Sequence, residues 1–369
     1  GQKIELNAKT RVIFRDKEDN LWIGTANNGL IRLFLSNKQF PLFRLNTKDV
    51  DHGTADNIVR SIYAESEQTI WIGSYGSGLF RFNRDNMRFR HFLANPKIKG
   101  SLSGNQVSSI YRDKGGTLWI GTWGNGLNRA VEEGEQLRFE LPTLFNTPIG
   151  DDVAQSSIHQ LIEDEYDNLW AVTNGGISRR AKDATGFEDM NAFLELPNYN
   201  INYILEDNDG NWWLGTWHGL LVYEKEQVQA LKKAQLPHST PPKASYYYTG
   251  KLDTAELYTN RITCLFQDQK ERIWVATYGG GLSLWTGQSL EKGSFRTFRQ
   301  IDGLPNEAVY GILEDESERL WLSTNNGLVL FDPALESFQV FTGNDGLQSN
   351  LFYFGAYEIT PDGKMIFGG

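Results

Sequence analysis

Residues 118–129 read LWIGTWGNGLNR, with two tryptophans and three glycines in twelve positions. The stretch recurs. LWIGTANNGLIR starts at Leu21, IWIGSYGSGLFR at Ile70, LWAVTNGGISR at Leu169, WWLGTWHGLLV at Trp212, IWVATYGGGLSL at Ile273 and LWLSTNNGLVL at Leu320. A half copy, MIFGG, begins at Met365, with Ile366 in the tryptophan slot. The anchors Trp22, Trp71, Trp119, Trp170, Trp213, Trp274 and Trp321 lie 43 to 61 residues apart. Such regular self-similarity identifies a repeat architecture running from end to end, and so one domain over residues 1–369.

The unit around Trp119 shows what each repeat contains. QVSSIYRD (106–113) alternates with the period of a strand, DKGG supplies a turn, and TLWIGT is a second β-rich run. WGNG turns the chain again into LNRAV and then LRFEL. Four short antiparallel strands in about fifty residues make one propeller blade. The expected fold is therefore an all-β propeller of four-stranded antiparallel blades, with a partial last repeat over 352–369. The one clear helical pattern, EKEQVQALKKAQL (224–236), falls in the longest gap and reads as an insertion over 224–258.

An acidic residue stands six places before each tryptophan: Asp16, Glu65, Asp113, Asp164, Asp207, Asp268 and Asp315. An aspartate at a strand end caps a tight turn through the backbone. Calcium binding at DNDG (207–210) is the competing reading, and each copy offers too few ligands for it. The first tryptophan fills the wedge between neighbouring blades. The glycine two residues later (Gly24, Gly73, Gly121, Gly215) leaves room for the next backbone.

The second aromatic needs another explanation. The slot that opens the turn between strands two and three holds Ala26, Tyr75, Trp123, Asn174, Trp217, Tyr278 and Asn325. In a meander this turn shares an end with the loop entering strand one. Those loops carry Asn57, Asn105 and Asn260, with Asn200 and Asn306 one residue off register. Aromatic faces interleaved with amides suit a sugar, whose C–H face stacks on rings and whose hydroxyls want neutral partners. Tyr75, Trp123, Trp217, His218, Tyr278, Asn57, Asn105, Asn260 and Asn306 are the candidate ligand-binding residues. Inter-blade packing and turn-holding are the structural alternatives for each.

Composition narrows the functions. Hydrophobic residues are 40%, aromatic 13% and charged 22%, with a formal net charge of −10 and no Lys/Arg run, which argues against a nucleic-acid partner. The one cysteine, Cys264, excludes an internal disulfide and sits at an inward-looking position. The five histidines lack metal-ligand spacing, so neither metal nor cofactor is expected. No acid–base pair follows from spacing, although Glu307 lies near the mouth. The D…LW interval is one residue too long for the Asp-box of sialidases.

The repeats resemble the two-component regulator propeller family. The carriers are D..G.LWIGT..GGL.R, SLSGNQVSSIY (101–111), IDGLPNEAVYGILED (301–315), NDGLQSNLF (344–352) and DGKMIFGG (362–369), the last similar to the repeat before an Ig-like module. The match departs at Trp170 and after Trp213, so irregular blades are expected there. The resemblance implies a periplasmic, non-enzymatic sensor domain that passes a signal to a histidine kinase or diguanylate cyclase. It also implies an oligosaccharide or other small ligand, a homodimer, and a membrane reached only through segments beyond this chain. A protein-interaction scaffold and a propeller lyase or glycosidase are the competing functions. Seven anchors and a half copy fit seven or eight blades, and the resemblance favours seven.

Overall fold

Alternating β-branched residues and Gly-rich turns fold each repeat into an antiparallel meander. The computed structural model describes residues 10–15, 20–25, 30–34, 40–42, 45, 58–133, 136–141, 157–194, 200–233, 244–248, 257–287, 289–290 and 293–369. Six four-stranded sheets, each with its strands hydrogen-bonded in chain order, form blades one to six over 59–92, 107–140, 158–189, 201–247, 262–298 and 309–341. The unit read most closely from sequence has its four strands at Val107–Arg112, Leu118–Thr122, Leu127–Glu133 and Gln136–Glu140.

The first strand of each blade is innermost. These strands pack in order, Val59–Ala64 on Val107–Arg112, then Ile158–Glu163, Ile201–Glu206, Ile262–Gln267 and Val309–Glu314. The short strand Tyr357–Ile359 lies between the innermost strands of blades six and one and closes the circle.

Tryptophan sets the angle between blades. Trp71 packs with Val107, Ile110, Leu118 and Ile120 of blade two. Trp119 packs with Ile158, Leu161, Leu169 and Ala171 of blade three. Trp170, Trp213 and Trp274 repeat this against blades four, five and six. Removing about 200 Å² of apolar ring from water contributes ~5 kcal/mol per indole before ordering costs. Ile366 takes the role for the closing sheet, packing with Ile62 and Ile70 of blade one.

The blade count corrects the expectation of seven or eight. Among the described residues there are six complete blades, and the last unit supplies Tyr357–Ile359 and Met365–Phe367, paired as a two-stranded sheet. The unit around Trp22 forms a separate three-stranded sheet, Thr10–Arg15, Asn20–Thr25 and Leu30–Phe34. The two expected irregular blades have the shortest outer strands, Glu188–Asp189 in blade three and Ser245–Tyr247 in blade four. The insertion carries the helix Lys225–Lys233, whose Val228 and Leu231 pack with Trp170 and Trp212.

The acidic residues do more than cap turns. Asp207 Oδ1 accepts from the Asp209 and Asn211 amides, while Oδ2 accepts the Trp213 indole N–H at 2.7 Å. Asp113, Asp164, Asp268 and Asp315 bond the indoles of Trp119, Trp170, Trp274 and Trp321 in the same way, and Glu65 bonds that of Trp71. At Asp207 both carboxylate oxygens serve the hairpin. Asp16 lies outside the described residues.

Candidate binding face at the channel mouth

A repeated hydroxyl aims the second aromatic. Ser74, Thr122, Thr216 and Thr277 close strand two of their blades, and each donates to the carbonyl of the glycine that restarts strand three. The next residue then turns its backbone N–H back to the approach of strand one: Tyr75 to Ile58 O, Trp123 to Gln106 O, Trp217 to Asn200 O and Tyr278 to Arg261 O. Both loops therefore open on the same end of the ring, as the meander demands.

At that end two of the four aromatics, Trp217 and Tyr278, meet a residue that sequence reasoning missed, Phe354. Its ring lies 6.3 Å from Trp217, 6.3 Å from Tyr278 and 4.6 Å from Tyr310. The Arg60 guanidinium spans to the other two, 5.5 Å from the Tyr75 ring, 5.1 Å from Trp123 and 5.9 Å from Phe354. Tyr75, Trp123 and Tyr278 remain 41%, 43% and 37% exposed, which is unusual for rings so well placed to pack. The remaining members of the slot serve turns and neighbours. Asn174 Oδ1 accepts from the Ser157 amide, and Asn325 Oδ1 from the Tyr310 hydroxyl. Ala26 lies outside the described residues.

Arg60 and Tyr310 owe their position to a bulge. In every complete blade the pairing of the innermost strand slips by one residue at its second position, which holds Arg60, Ser108, His159, Asn202, Thr263 or Tyr310. A bulge re-aims a side chain out of the pleat. Four of the six use this to bind the next blade. Ser108 donates to Ile158 O, His159 Nδ1 to Ile201 O, Asn202 to Ile262 O and Thr263 to Val309 O, over 2.5–2.9 Å. Arg60 and Tyr310 instead face the aromatics. Burial pushes the Tyr310 hydroxyl up to about 12 and lowers the Arg60 guanidinium.

His159 has a second role. Its ring stacks on Trp123 at 5.3 Å, and its Nε2 is buried with no hydrogen-bond partner among the described residues. Burial, reinforced by the Arg60 charge, pushes its imidazole down to about 4.

The other residues expected at the site divide. His218 is exposed in its turn, its carbonyl accepting from the Tyr246 hydroxyl. Asn105 Oδ1 accepts from the Ala94 amide and Asn306 Oδ1 from the Ala308 amide, so both hold turns. Asn260 is half-buried next to Arg261, whose guanidinium lies 5.6 Å from the Trp217 ring and 6.0 Å from Tyr278. Asn57 lies outside the described residues. Glu307 is held by Arg299 in two hydrogen bonds of 3.0 and 3.1 Å. Cys264 is buried, and burial pushes its thiol up to about 11, as suits a core side chain. No helix among the described residues is long and apolar enough to cross a membrane.

Comparison with known proteins places this geometry. The family model described as two component regulator propeller matches residues 101–124, 195–218, 259–279 and 303–326. Each match runs from the loop entering an innermost strand to the turn that carries the second aromatic or its substitute. The histidine kinase P4 of Formosa agariphila is 25% identical over 174 residues, 47% of this chain and 12% of that protein. The extracellular domain of the hybrid two component system BT3049 from B. thetaiotaomicron aligns over 97% of this chain and 44% of its own, with TM-score 0.68 and 20% identity. PorZ, a surface component of the type-IX secretion system of Porphyromonas gingivalis, aligns over 95% of this chain and 51% of its own, with TM-score 0.58 and 16% identity. The two structures establish a shared fold, and the chain spans less than half of the first and about an eighth of the kinase. With the motif matched in blades two, four, five and six, the chain carries two-component regulator propeller repeats.

Proposed function

We propose that this propeller is the extracytoplasmic, periplasmic sensor module of a two-component-type receptor, and that it reads an oligosaccharide at the channel mouth. The observation that carries the reading is the gathering of Trp217 and Tyr278 at Phe354 and of Tyr75 and Trp123 at the adjoining Arg60, with Tyr75, Trp123 and Tyr278 left exposed. Partly exposed rings at one end of the ring of blades offer stacking faces, and Arg60, Arg261 and the peptide edges offer polar partners. The histidine kinase among its relatives supports the signalling role. The function is binding without turnover, a reading supported by the engagement of Glu307 with Arg299. A ligand can drive an output module only by favouring one arrangement of the receptor over another.

Calorimetric titration against defined oligosaccharides tests this. Binding without product is expected, and Trp123→Ala and Trp217→Ala should each weaken it by about 1–3 kcal/mol. A panel in which no sugar binds would count for a protein-interaction scaffold. Product formation would count for an enzyme.

A further inference from the structure

We propose that the ligand of this mouth is anionic, a uronate- or sulfate-bearing oligosaccharide whose charged oxygens engage Arg60 while a hydroxyl donates to His159 Nε2. The inference rests on the oligosaccharide reading above and narrows it to a charge class.

The first ground is the surroundings of Arg60. Several other arginines of this acidic chain face carboxylates: Arg112 faces Glu65, Arg272 faces Asp268, Arg299 faces Glu307 and Arg319 faces Asp315. Arg60 has no ion-pair or hydrogen-bond partner among the described residues and lies against the rings of Tyr75, Trp123 and Phe354. Arg261 likewise lies against Trp217 and Tyr278, with no carboxylate partner among the described residues. The two cations flank Phe354 within one aromatic cluster. Rings attract a guanidinium but leave its five N–H donors without strong acceptors. A planar fork held by ring faces, with its donors unclaimed among the described residues, is organised for bidentate carboxylate or sulfate oxygens.

The second ground is independent. His159 Nδ1 is fixed by the Ile201 carbonyl at 2.7 Å, so a neutral ring presents Nε2 as an acceptor. That atom is buried and orphaned beside Trp123, the ring that Arg60 also covers. Leaving a buried acceptor unpaired is costly, and an orphan at a binding face asks for a donor from outside. A carboxylate alone cannot satisfy it, because an anion brings acceptors only. A sugar acid brings both groups on one ring.

The test titrates the 369-residue chain with three trisaccharides of equal length: a uronate, a sulfated one and a neutral one. At low salt at least one acidic ligand should bind about tenfold or more tighter than the neutral one, the scale of one charge-assisted bond. The stronger acidic arm identifies the anion, and added salt should weaken only the acidic arms. Arg60→Gln should abolish the preference and Arg60→Lys should keep part of it, with unfolding midpoints showing that both variants fold. Equal affinity for neutral and acidic ligands, or a preference that survives Arg60→Gln, overturns the charge assignment and leaves sugar sensing standing. Failure of all three ligands to bind overturns both.

Discussion

One carboxylate in each blade ties a turn to a wedge. Asp164 is buried, accepts from the Tyr166 and Asn168 amides, and takes the Trp170 indole at 2.9 Å. Asp164→Ala should cost about 2–4 kcal/mol, because one buried indole and two amides lose a charged acceptor together. Asp315→Ala should cost less, since its indole bond is 3.3 Å long and its carboxylate is partly open. Urea unfolding of the two variants compares them directly. A second residue-scale expectation concerns pH. His159 titrates near 4 in the fold against 6.5 in its absence, so the unfolded chain binds more protons between those values. Its contribution to stability is complete above 6.5 and is lost as pH falls towards 4. Glu358 has the opposite sign. Burial raises its carboxyl from 4.5 to about 7, so its contribution is complete below 4.5 and is lost as pH rises through 7. Relative to the parent chain, Glu358→Gln should make stability climb more steeply from pH 5 to 6.5 and His159→Gln should make it fall, read from urea midpoints.

At the scale of the strand, the bulge and the glycine opposite it explain how blades approach so closely. A Cβ on Gly121 would stand 2.2 Å from Ser109 Oγ and 2.7 Å from Ile158 Cβ. Both neighbours belong to packed innermost strands, so Gly121→Ala should destabilise by about 1–3 kcal/mol in a denaturant titration. The room expected for the next backbone is real at Gly73, Gly121 and Gly215, each of whose Cβ would strike the following blade. The anchors, the strand order and the helix in the long insertion were legible because each leaves a period or a fixed residue. The bulge left no such mark. QVSSIYRD alternates acceptably with or without an extra residue, yet the structure slips its register between Val107 and Ser109. The polar residue after each β-branched starter (Arg60, Ser108, His159, Asn202, Thr263) was the available sign. The aromatic slot was readable for the same reason as the anchors, since it repeats. Phe354 was not, because twelve residues before their anchors the other copies hold Thr10, Val59, Val107, Ile158, Ile201, Ile262 and Val309, and none of these is aromatic. The asparagines misled by their spacing, as Asn105 and Asn306 bond amides of their own loops.

At the scale of the molecule, residues 1–369 build the circle unevenly. Among the described residues six of its sectors are four strands deep, and the seventh holds the pair Tyr357–Ile359 and Met365–Phe367. A two-strand sheet is marginal by itself, so it relies on the packing of Ile366 with Ile62 and Ile70, and of Phe352 and Phe367 in the cluster that holds Trp321. Native-state amide exchange should find Tyr357–Ile359 opening well before Val107–Arg112, which has blades on both sides.

Phe354 stands three residues ahead of Tyr357–Ile359, the strand that lies between blades six and one. Its ring meets Trp217, Tyr278 and Tyr310 on one side and the Arg60 guanidinium on the other. Whatever occupies the mouth would thereby act as a clasp across that seam, and occupancy would be written into how firmly the first and sixth blades are held to each other.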